Sequence, residues 1–165
     1  MKRKRMENWI FLGAFGLVAV VGAGFIGLRW WAANAPRPTT LGVAADGRLA
    51  PCPGSPNCVT SQTGLESQLM PALSFTDTQT AAQDRLRSLI TTMPRAQIIT
   101  DRLGYLHAEF RTPTIGYIDD VEFLLDAEQG LIHFRSAARL GYGDAGVNRN
   151  RMLEVSRLWD ATGRP

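Results

Sequence analysis

The feature that most constrains this chain is an uninterrupted apolar run near its N-terminus. Residues 9–28 read WIFLGAFGLVAVVGAGFIGL, twenty residues without a charged side chain. As a helix with a rise of about 1.5 Å per residue, this run covers the roughly 30 Å hydrocarbon core of a bilayer. Trp9, Trp30 and Trp31 flank it, and amphipathic rings of this kind prefer the headgroup region. We therefore predict a transmembrane helix over residues 9–31.

The charges on either side of the run predict its orientation. Residues 2–5 are Lys-Arg-Lys-Arg, whereas only Arg29 and Arg37 follow the run closely. By the positive-inside rule, residues 1–8 lie in the cytoplasm. We therefore expect a single-pass inner-membrane protein whose C-terminal domain is periplasmic or otherwise extracytoplasmic. A cleaved signal peptide is the alternative, because residues 33–35 resemble a cleavage site, but the run exceeds the roughly 7 to 15 residues of a signal core.

The distribution of charge argues against a nucleic-acid partner. The formal net charge is +3, but five of the eighteen basic residues lie at or before position 29. Beyond residue 31 the chain has 13 arginines and 14 acidic residues, a net charge of −1. That part of the chain has no basic excess with which to hold a phosphate backbone. We predict no binding to nucleic acid.

The residues after the membrane run predict a linker and one domain. Residues 32–47 contain Pro36, Pro38 and Gly42, a composition typical of a linker that lifts a domain off the bilayer. Residues 48–165 leave room for a single domain.

Hydrophobic periodicity in this domain predicts an α+β fold. A strand over residues 70–75 precedes a helix that opens at Asp77 and ends before Pro94, and a last helix over residues 148–160 has Asn148 as its N-cap. Between the helices lie four strand-like segments, at residues 96–101, 105–111, 117–125 and 131–137. Their short connections predict an antiparallel meander. The order β-α-β-β-β-β-α places both helices on one face of the sheet, which matches the TATA-binding-protein-like topology.

Two neighbouring strands are expected to carry an ion pair. Aligning Phe123 with Phe134 puts the apolar residues of both strands on one face and sets Glu122 opposite Arg135. The face away from the helices then carries Asp120, Glu122, His133 and Arg135, together with His107 and Glu109. Carboxylates and imidazoles on one surface are suited to acid–base chemistry. The alternative is a polar sheet face that meets solvent or a partner.

Cys52 and Cys58 frame the segment PCPGSPNC. In an oxidising compartment these two thiols are expected to form a disulfide. The five intervening residues do not match the C-x-x-C spacing of zinc and thioredoxin-like sites. A metal or redox role and unpaired thiols are the alternatives, but we expect neither a metal ion nor a cofactor.

Residues 141–146 read GYGDAG and match the G-x-G-x-x-G pattern of dinucleotide sites. Only 19 residues follow this loop, too few for the crossover helix, the next strand and the acidic residue that hold a dinucleotide. We predict no dinucleotide. An anion site is a weaker hypothesis, because Arg139, Arg149 and Arg151 lie close to the loop. The alternative is a structural turn that is tied by arginine and Asp144 contacts.

The membrane helix contains a stripe of small residues. Ala19, Ala23 and Gly27 lie four residues apart and share one face of the helix. Such stripes allow close helix packing. The stripe predicts dimerisation or docking on another membrane subunit, and simple anchoring is the alternative.

Three segments of the domain resemble the signature segments of the DUF1499 family, a family of unknown function. They are DGRLAPCPGSPNCVTSQ at residues 46–62, DDVEF at 119–123 and RSAARLGYGDAGVNRNR at 135–151. The chain departs from the usual family pattern at Thr60 and Ala138. By position, the resemblance marks Cys52, Pro56, Asn57, Cys58, Ser61, Gln62, Asp119, Asp120, Glu122, Arg135, Ser136, Arg139, Gly141, Asp144, Gly146, Asn148 and Arg151. It implies that the Cys loop, the acidic strand and the Arg and Gly loop form one feature, but it supplies no reaction, ligand or partner.

The sequence therefore supports two hypotheses of function. The first is a non-enzymatic extracytoplasmic interaction domain, an accessory subunit of an inner-membrane complex with a membrane or envelope protein as its partner. The second is a small-ligand or hydrolytic site. The candidate ligand or interaction residues are Asp119, Asp120, Glu122, Arg135, Ser136, Arg139, Asp144, Asn148 and Arg151.

Overall fold

The computed structural model describes residues 2–62 and 65–163, with side chains from residue 15 onward in its first helix. Helix α1 covers Lys2–Ala33. Its stretch Phe15–Ala33 is long and apolar enough to span a membrane, and only 6% of that stretch is buried against the rest of the chain. A spanning helix is thus supported, while its orientation and its compartment stay predictions. The side chains of the predicted cytoplasmic segment and of Trp9 lie outside the described residues.

The remainder folds as the predicted α+β domain. Within the described residues its elements are β1 (Cys58–Thr60), β2 (Leu73–Ser74), α2 (Gln79–Thr92), β3 (Ala96–Arg102), β4 (Tyr105–Arg111), β5 (Ile118–Asp126), β6 (Leu131–Ala138) and α3 (Val147–Thr162). A single 3₁₀ turn at Glu66–Gln68 separates β1 from β2.

One antiparallel sheet contains all six strands. The meander β3-β4-β5-β6 was predicted, and β1 and β2 both pair with β6 at its outer side. The sequence pattern missed β1, which has three residues, and it made β2 too long, because only Leu73 and Ser74 of residues 70–75 pair. The likeness to the TATA-binding-protein topology stays a prediction.

The two domain helices begin differently. In α2, Thr78 is the N-cap and its hydroxyl accepts from the amide of Ala81 at 3.2 Å. In α3, the predicted N-cap Asn148 is wrong: Gly146 holds that position with φ +80°, and Asn148 is the second residue of the helix. The Asp144 carboxylate accepts from the Asn148 amide at 2.7 Å. It thereby satisfies a donor that the first turn leaves free.

Both domain helices pack on the same face of the sheet. The interior there is apolar, because Phe123 and Phe134 lie directly opposite each other in β5 and β6 and are fully buried. Alternate residues of a strand point to opposite faces, so this pair directs the neighbouring Glu122 and Arg135 to the other face. The predicted register of β5 and β6 is confirmed.

The two edges of the sheet are irregular. At one edge, β3 pairs with β4 but its register shifts between Ile98 and Thr100, which marks a β-bulge. At the other edge, β6 is covered by β1 along one part and by β2 along another. Neither edge offers one long uninterrupted strand.

The sheet face that lies away from the helices is covered by the chain itself. Residues 35–49, which we call the strap, run from the end of α1 across this face to Leu49, whose amide donates to Gln62 at 3.0 Å. The predicted linker thus contacts the domain over much of its length. The polar face of the sheet is enclosed between the strap and the strands.

Candidate functional site

Five of the six polar residues predicted on this face come together there and are buried, whereas His133 is only half-buried. The five are His107, Glu109, Asp120, Glu122 and Arg135. Strand register places His107 opposite Glu122 and Glu109 opposite Asp120. Glu122 is 0% exposed, Asp120 1% and His107 2%. A charge removed from water to this degree needs charged or hydrogen-bonding partners. At these five positions the polar face is therefore closed to bulk solvent.

Arg139 is the hub of one half of this face. Its guanidinium donates to both oxygens of Asp120, at 2.7 Å from Nε and 2.7 Å from Nη2, and to Glu109 at 2.5 Å. His107 Nε2 lies 2.8 Å from the same Asp120 carboxylate. Burial by itself would raise the pKa of Asp120, but the hydrogen bonds from Arg139 and His107 outweigh it and hold that pKa below its ordinary value. Asp120 is therefore held as a carboxylate.

Glu122 is the centre of the other half. Arg135 Nη1 donates to it at 3.2 Å, which confirms the predicted cross-strand ion pair. The Tyr105 hydroxyl donates to Oε1 at 2.7 Å, and the backbone amide of Gly42 in the strap donates to the same atom at 2.6 Å. Burial and the neighbouring Glu122 charge raise the pKa of Tyr105. The tyrosine therefore stays a hydroxyl donor.

The strap makes ionic contacts as well as backbone contacts with this face. Arg37 donates to Glu109 at 2.6 Å, and Arg139 donates to the carbonyl of Ala35 at 3.3 Å. Burial would raise the pKa of Glu109, yet the bonds from Arg37 and Arg139 lower it below its ordinary value. The carboxylates of the polar face thus join the strap to the sheet, and the strap continues directly from helix α1.

A second cluster lies on the helix side of the same strands. Arg151 Nη2 donates to Asp119 at 2.5 Å, and the Arg151 guanidinium also lies over the Phe110 ring, 4.8 Å from its centroid. Burial raises the pKa of Asp119, and the neighbouring Arg151 offsets only part of that rise. At Asp119, burial therefore exceeds the effect of the ion-pair partner on the pKa, whereas at Asp120 and Glu109 the partners exceed the effect of burial.

Asn148 connects this second cluster to three other segments. Its side-chain oxygen accepts from Ser136 at 2.5 Å and from Arg151 at 2.6 Å, and its amide nitrogen donates to the Asn57 carbonyl at 3.1 Å and to Asp144 at 2.8 Å. The side chain is 0% exposed. The Cys loop, strand β6, the Gly loop and α3 therefore meet at one buried amide.

The Gly loop at residues 141–146 has structural contacts. Asp144 accepts from the Gly146 amide at 3.0 Å, and the Asn57 side chain donates to the Gly141 carbonyl at 2.6 Å. Arg149 donates to the Ser67 carbonyl at 2.7 Å. With Arg139 and Arg151 bound to carboxylates, these contacts support the structural turn over the anion site.

The two cysteines are joined. Cys52 and Cys58 form a disulfide, with their Cα atoms 5.7 Å apart, so the predicted pairing is confirmed. Cys58 is the first residue of β1 and lies opposite Ala137 in β6. The bridge therefore closes the proline-rich loop onto the edge of the sheet.

A serine and a histidine also lie in contact at the edge of the sheet. Ser61 Oγ is 3.3 Å from His133 Nδ1, but the same oxygen accepts from the amide of Phe134 at 2.9 Å. The nearby Asp126 carboxylate accepts from the backbone amides of Glu128 and Gln129. The serine hydroxyl therefore continues the pairing of β1 with β6, and the contacts support a structural role for this pair.

The sequence analysis missed the strap residues that bind the carboxylates of the polar face, because these residues are distant from the strands in sequence. Arg37 and Gly42 are 72 and 80 residues from the carboxylates they contact. Their positions have no local pattern of helix or strand that would direct them to the sheet. Tyr105 could have been predicted from the sequence, because it lies two residues before His107 in the same strand and therefore points to the same face of the sheet.

The chain matches the profile of a known protein family. The profile of the family described as "Protein of unknown function (DUF1499)" matches residues 48–157. The matched range contains the disulfide and the sheet and helix residues of both clusters, whereas helix α1 and most of the strap, with Arg37 and Gly42, precede it. No curated protein and no solved structure was found to match the chain.

Proposed function

Because the chain belongs to the DUF1499 family, which has no assigned function, we propose its role from the contacts alone: it is a membrane-anchored, extracytoplasmic interaction domain. In this proposal α1 crosses the inner membrane and the domain is periplasmic. The chain acts as an accessory subunit that binds a membrane or envelope protein. The TATA-binding-protein-like arrangement belongs to the same proposal and carries no function with it.

The observation that carries this proposal is the way in which the charged residues are used. Asp120, Glu109 and Glu122 all bind the strap, the arginines of the sheet or both. General acid–base catalysis needs a group within reach of a substrate, and these carboxylates are covered. Their contacts hold the domain close to the end of the anchor helix, which suits a subunit that must present its domain and its helix to one partner together.

The anchor helix supports the same proposal. Its side chains between residues 15 and 31 are exposed, and a Cβ atom added at Gly27 would meet nothing within 4 Å. The face that carries Ala19, Ala23 and Gly27 is therefore available for a second helix, which small residues allow to approach closely.

Purification of the full chain from its native membranes in a mild detergent tests this proposal. We expect it to co-purify in a complex larger than the 18.1 kDa monomer in its micelle, and we expect Ala23→Leu to release the monomer. Val21→Leu is the matched control, because Val21 lies on nearly the opposite side of the helix at about 100° per residue. A wild-type chain that always migrates alone, with Ala23→Leu unchanged, would contradict the proposal.

A further inference from the structure

A cavity lies where the anchor helix meets the domain. Its volume is about 380 Å³, and its walls come from Trp31 of the anchor helix, from the β4–β5 loop and from the loop after β6. Ala32 is 0% exposed, and Arg29 donates to the carbonyl of Thr114 in the β4–β5 loop. The C-terminal end of helix α1 is therefore part of the cavity wall.

The lining of this cavity is suited to hydrocarbon. Ile115, Leu140 and Val147 contribute apolar side chains, alongside the ring of Trp31. Two carboxylates also line the wall, and both have partners: Arg151 binds Asp119 at 2.5 Å, and the backbone amides of Gly146 and Asn148 donate to Asp144. The volume falls within the roughly 300 to 1,000 Å³ that is usual for small-molecule sites. A chain of methylene groups fits the apolar part of this lining.

A positively charged groove adjoins the cavity. Its volume is about 310 Å³, and it shares Thr112, Pro113 and Val147 with the cavity wall. Arg95 and Arg111 also line it. Within the described part of the chain, neither arginine makes an ion pair, whereas Glu154 in the same groove binds Arg157. Two arginine charges without carboxylate partners thus lie beside an apolar cavity.

We propose that the cavity and the groove together bind one anionic phospholipid of the leaflet in which the anchor helix ends. An acyl chain occupies the cavity, and the phosphate lies between Arg95 and Arg111, because guanidinium groups pair well with phosphate oxygens. Of the two parts, only the cavity is lined by the anchor helix, so the phosphate lies farther from that helix than the acyl chain does. This arrangement matches a lipid that leaves the bilayer with its headgroup first. This site rests on the membrane anchoring in the proposed function, but it does not need the protein partner.

The test uses the delipidated full chain in a non-ionic detergent and measures lipid binding by native mass spectrometry. Phosphatidylglycerol is the probe, and diacylglycerol with the same chains and glycerol phosphate are the two partial probes. We expect phosphatidylglycerol to bind most tightly, because only it fills both parts. The double substitution Arg95→Gln with Arg111→Gln should weaken its binding at least about tenfold. Arg48→Gln is the matched control, since Arg48 is an exposed arginine outside the groove.

A second pair of variants tests the cavity. Val147→Phe places a ring where the cavity and the groove meet and should weaken phosphatidylglycerol binding, whereas Leu153→Phe adds the same ring on the exposed part of α3 and should not. Circular dichroism confirms that each variant is folded. Equal binding of phosphatidylglycerol and diacylglycerol, or unchanged binding by the double arginine variant, would overturn the phosphate assignment. Unchanged binding by Val147→Phe, or glycerol phosphate that binds as tightly as the lipid, would overturn the acyl-chain assignment.

Extraction of membranes with alkaline carbonate separates failure of this site from failure of the proposed function. A chain that is released by carbonate contradicts the anchoring on which both proposals rest. A chain that stays in the membrane but binds none of the probes in detergent contradicts the lipid site alone. Loss of the complex in Ala23→Leu with unchanged lipid binding supports both proposals as independent properties.

Discussion

The sheet face that meets the helices and the face that meets the strap are both largely excluded from solvent, but different groups fill them. On the helix side, Phe123 and Phe134 pack against apolar residues of α2 and α3. On the strap side, Glu109, Asp120 and Glu122 are held by arginines and by backbone amides. Apolar packing is non-directional, whereas each charged contact depends on one partner in one place. The two faces should therefore respond differently to similar changes in sequence.

The largest difference is expected when one charged partner is removed. Arg139→Met leaves Asp120 and Glu109 buried with fewer partners, which should lower the free energy of unfolding by about 3 to 5 kcal/mol. Urea unfolding of the full chain in detergent micelles, followed by circular dichroism, measures this change. Arg157→Met is the control, because Arg157 is exposed and its one ion pair among the described residues is with Glu154 on the same helix; its effect should stay within about 0.5 kcal/mol. Equal effects would show that the charged face contributes no more than a surface pair.

Conservative substitutions sharpen the comparison further. Arg139→Lys keeps the charge but loses the planar fork that binds two carboxylates, and it should cost about 1.5 to 3 kcal/mol. Leu86→Met on the helix side conserves volume in a fully buried site and should cost less than about 1.5 kcal/mol. The same urea titrations compare the two. A larger loss for the leucine variant would reverse our ranking of the faces.

A smaller effect on stability is expected at the rim of the strap. The Arg37 side chain is half exposed, so Arg37→Gln should cost less than about 1 kcal/mol. Its local effect should be clearer, because Arg37 holds the strap on Glu109. Hydrogen exchange should become faster in residues 35–49 and stay unchanged in β5. Unchanged exchange in the strap would mean that the backbone contact at Gly42 is sufficient to hold it.

The smallest net effect on stability is expected from a change of pH, because the pKa shifts of the two clusters have opposite signs. The pKa values of Asp120 and Glu109 lie below their ordinary values of 3.8 and 4.5. Their contribution to stability is present above those values and is lost as the pH falls through the lower pKa of the folded state. The pKa of Asp119 is raised, so its contribution is present below 3.8 and is lost as the pH rises through its folded pKa. We expect the unfolding midpoint in urea to fall modestly from pH 5 to about pH 3.

Substitution of the opposing group tests this balance. Asp119→Asn should make the loss of stability at low pH steeper, because it removes the carboxyl whose raised pKa offsets the lowered pKa values of Asp120 and Glu109. Asp120→Asn should make the loss shallower for the converse reason. Identical pH profiles for both variants and the wild type would contradict the assignment of these carboxylates to opposite shifts.

Much of the sheet was predictable because its signals are local. Alternation in β5 and β6 gave both the strands and their register, and a single aligned pair, Phe123 with Phe134, was sufficient to predict the bond between Glu122 and Arg135. The disulfide was also predictable, because Cys52 and Cys58 are only six positions apart. In each case the partners are joined by a short piece of chain.

The parts that were not predictable depend on contacts between distant residues. Arg139 donates to the carbonyl of Ala35, which is 104 positions away in the sequence. The segment around Ala35 is rich in proline and glycine and has no hydrophobic periodicity from which such a contact could be predicted. Asn148 is a residue type that is common at N-caps, but here the Asp144 carboxylate accepts from the Asn148 backbone amide. The Asn148 side chain instead bonds four partners. Strand β1 has three residues, too few for alternation to show.

The bulge in β3 has a consequence for chains that are crowded together on a membrane. An unpaired outer strand can recruit the same strand of a neighbour and start an intermolecular sheet. Between Ile98 and Thr100 the ladder of β3 loses its regular spacing, so two copies placed edge to edge are unable to match their amides and carbonyls along the whole strand. Because the short strands β1 and β2 occupy the opposite edge, this fold is protected from sheet-based aggregation at both edges, even where the anchoring proposed for α1 raises its local concentration.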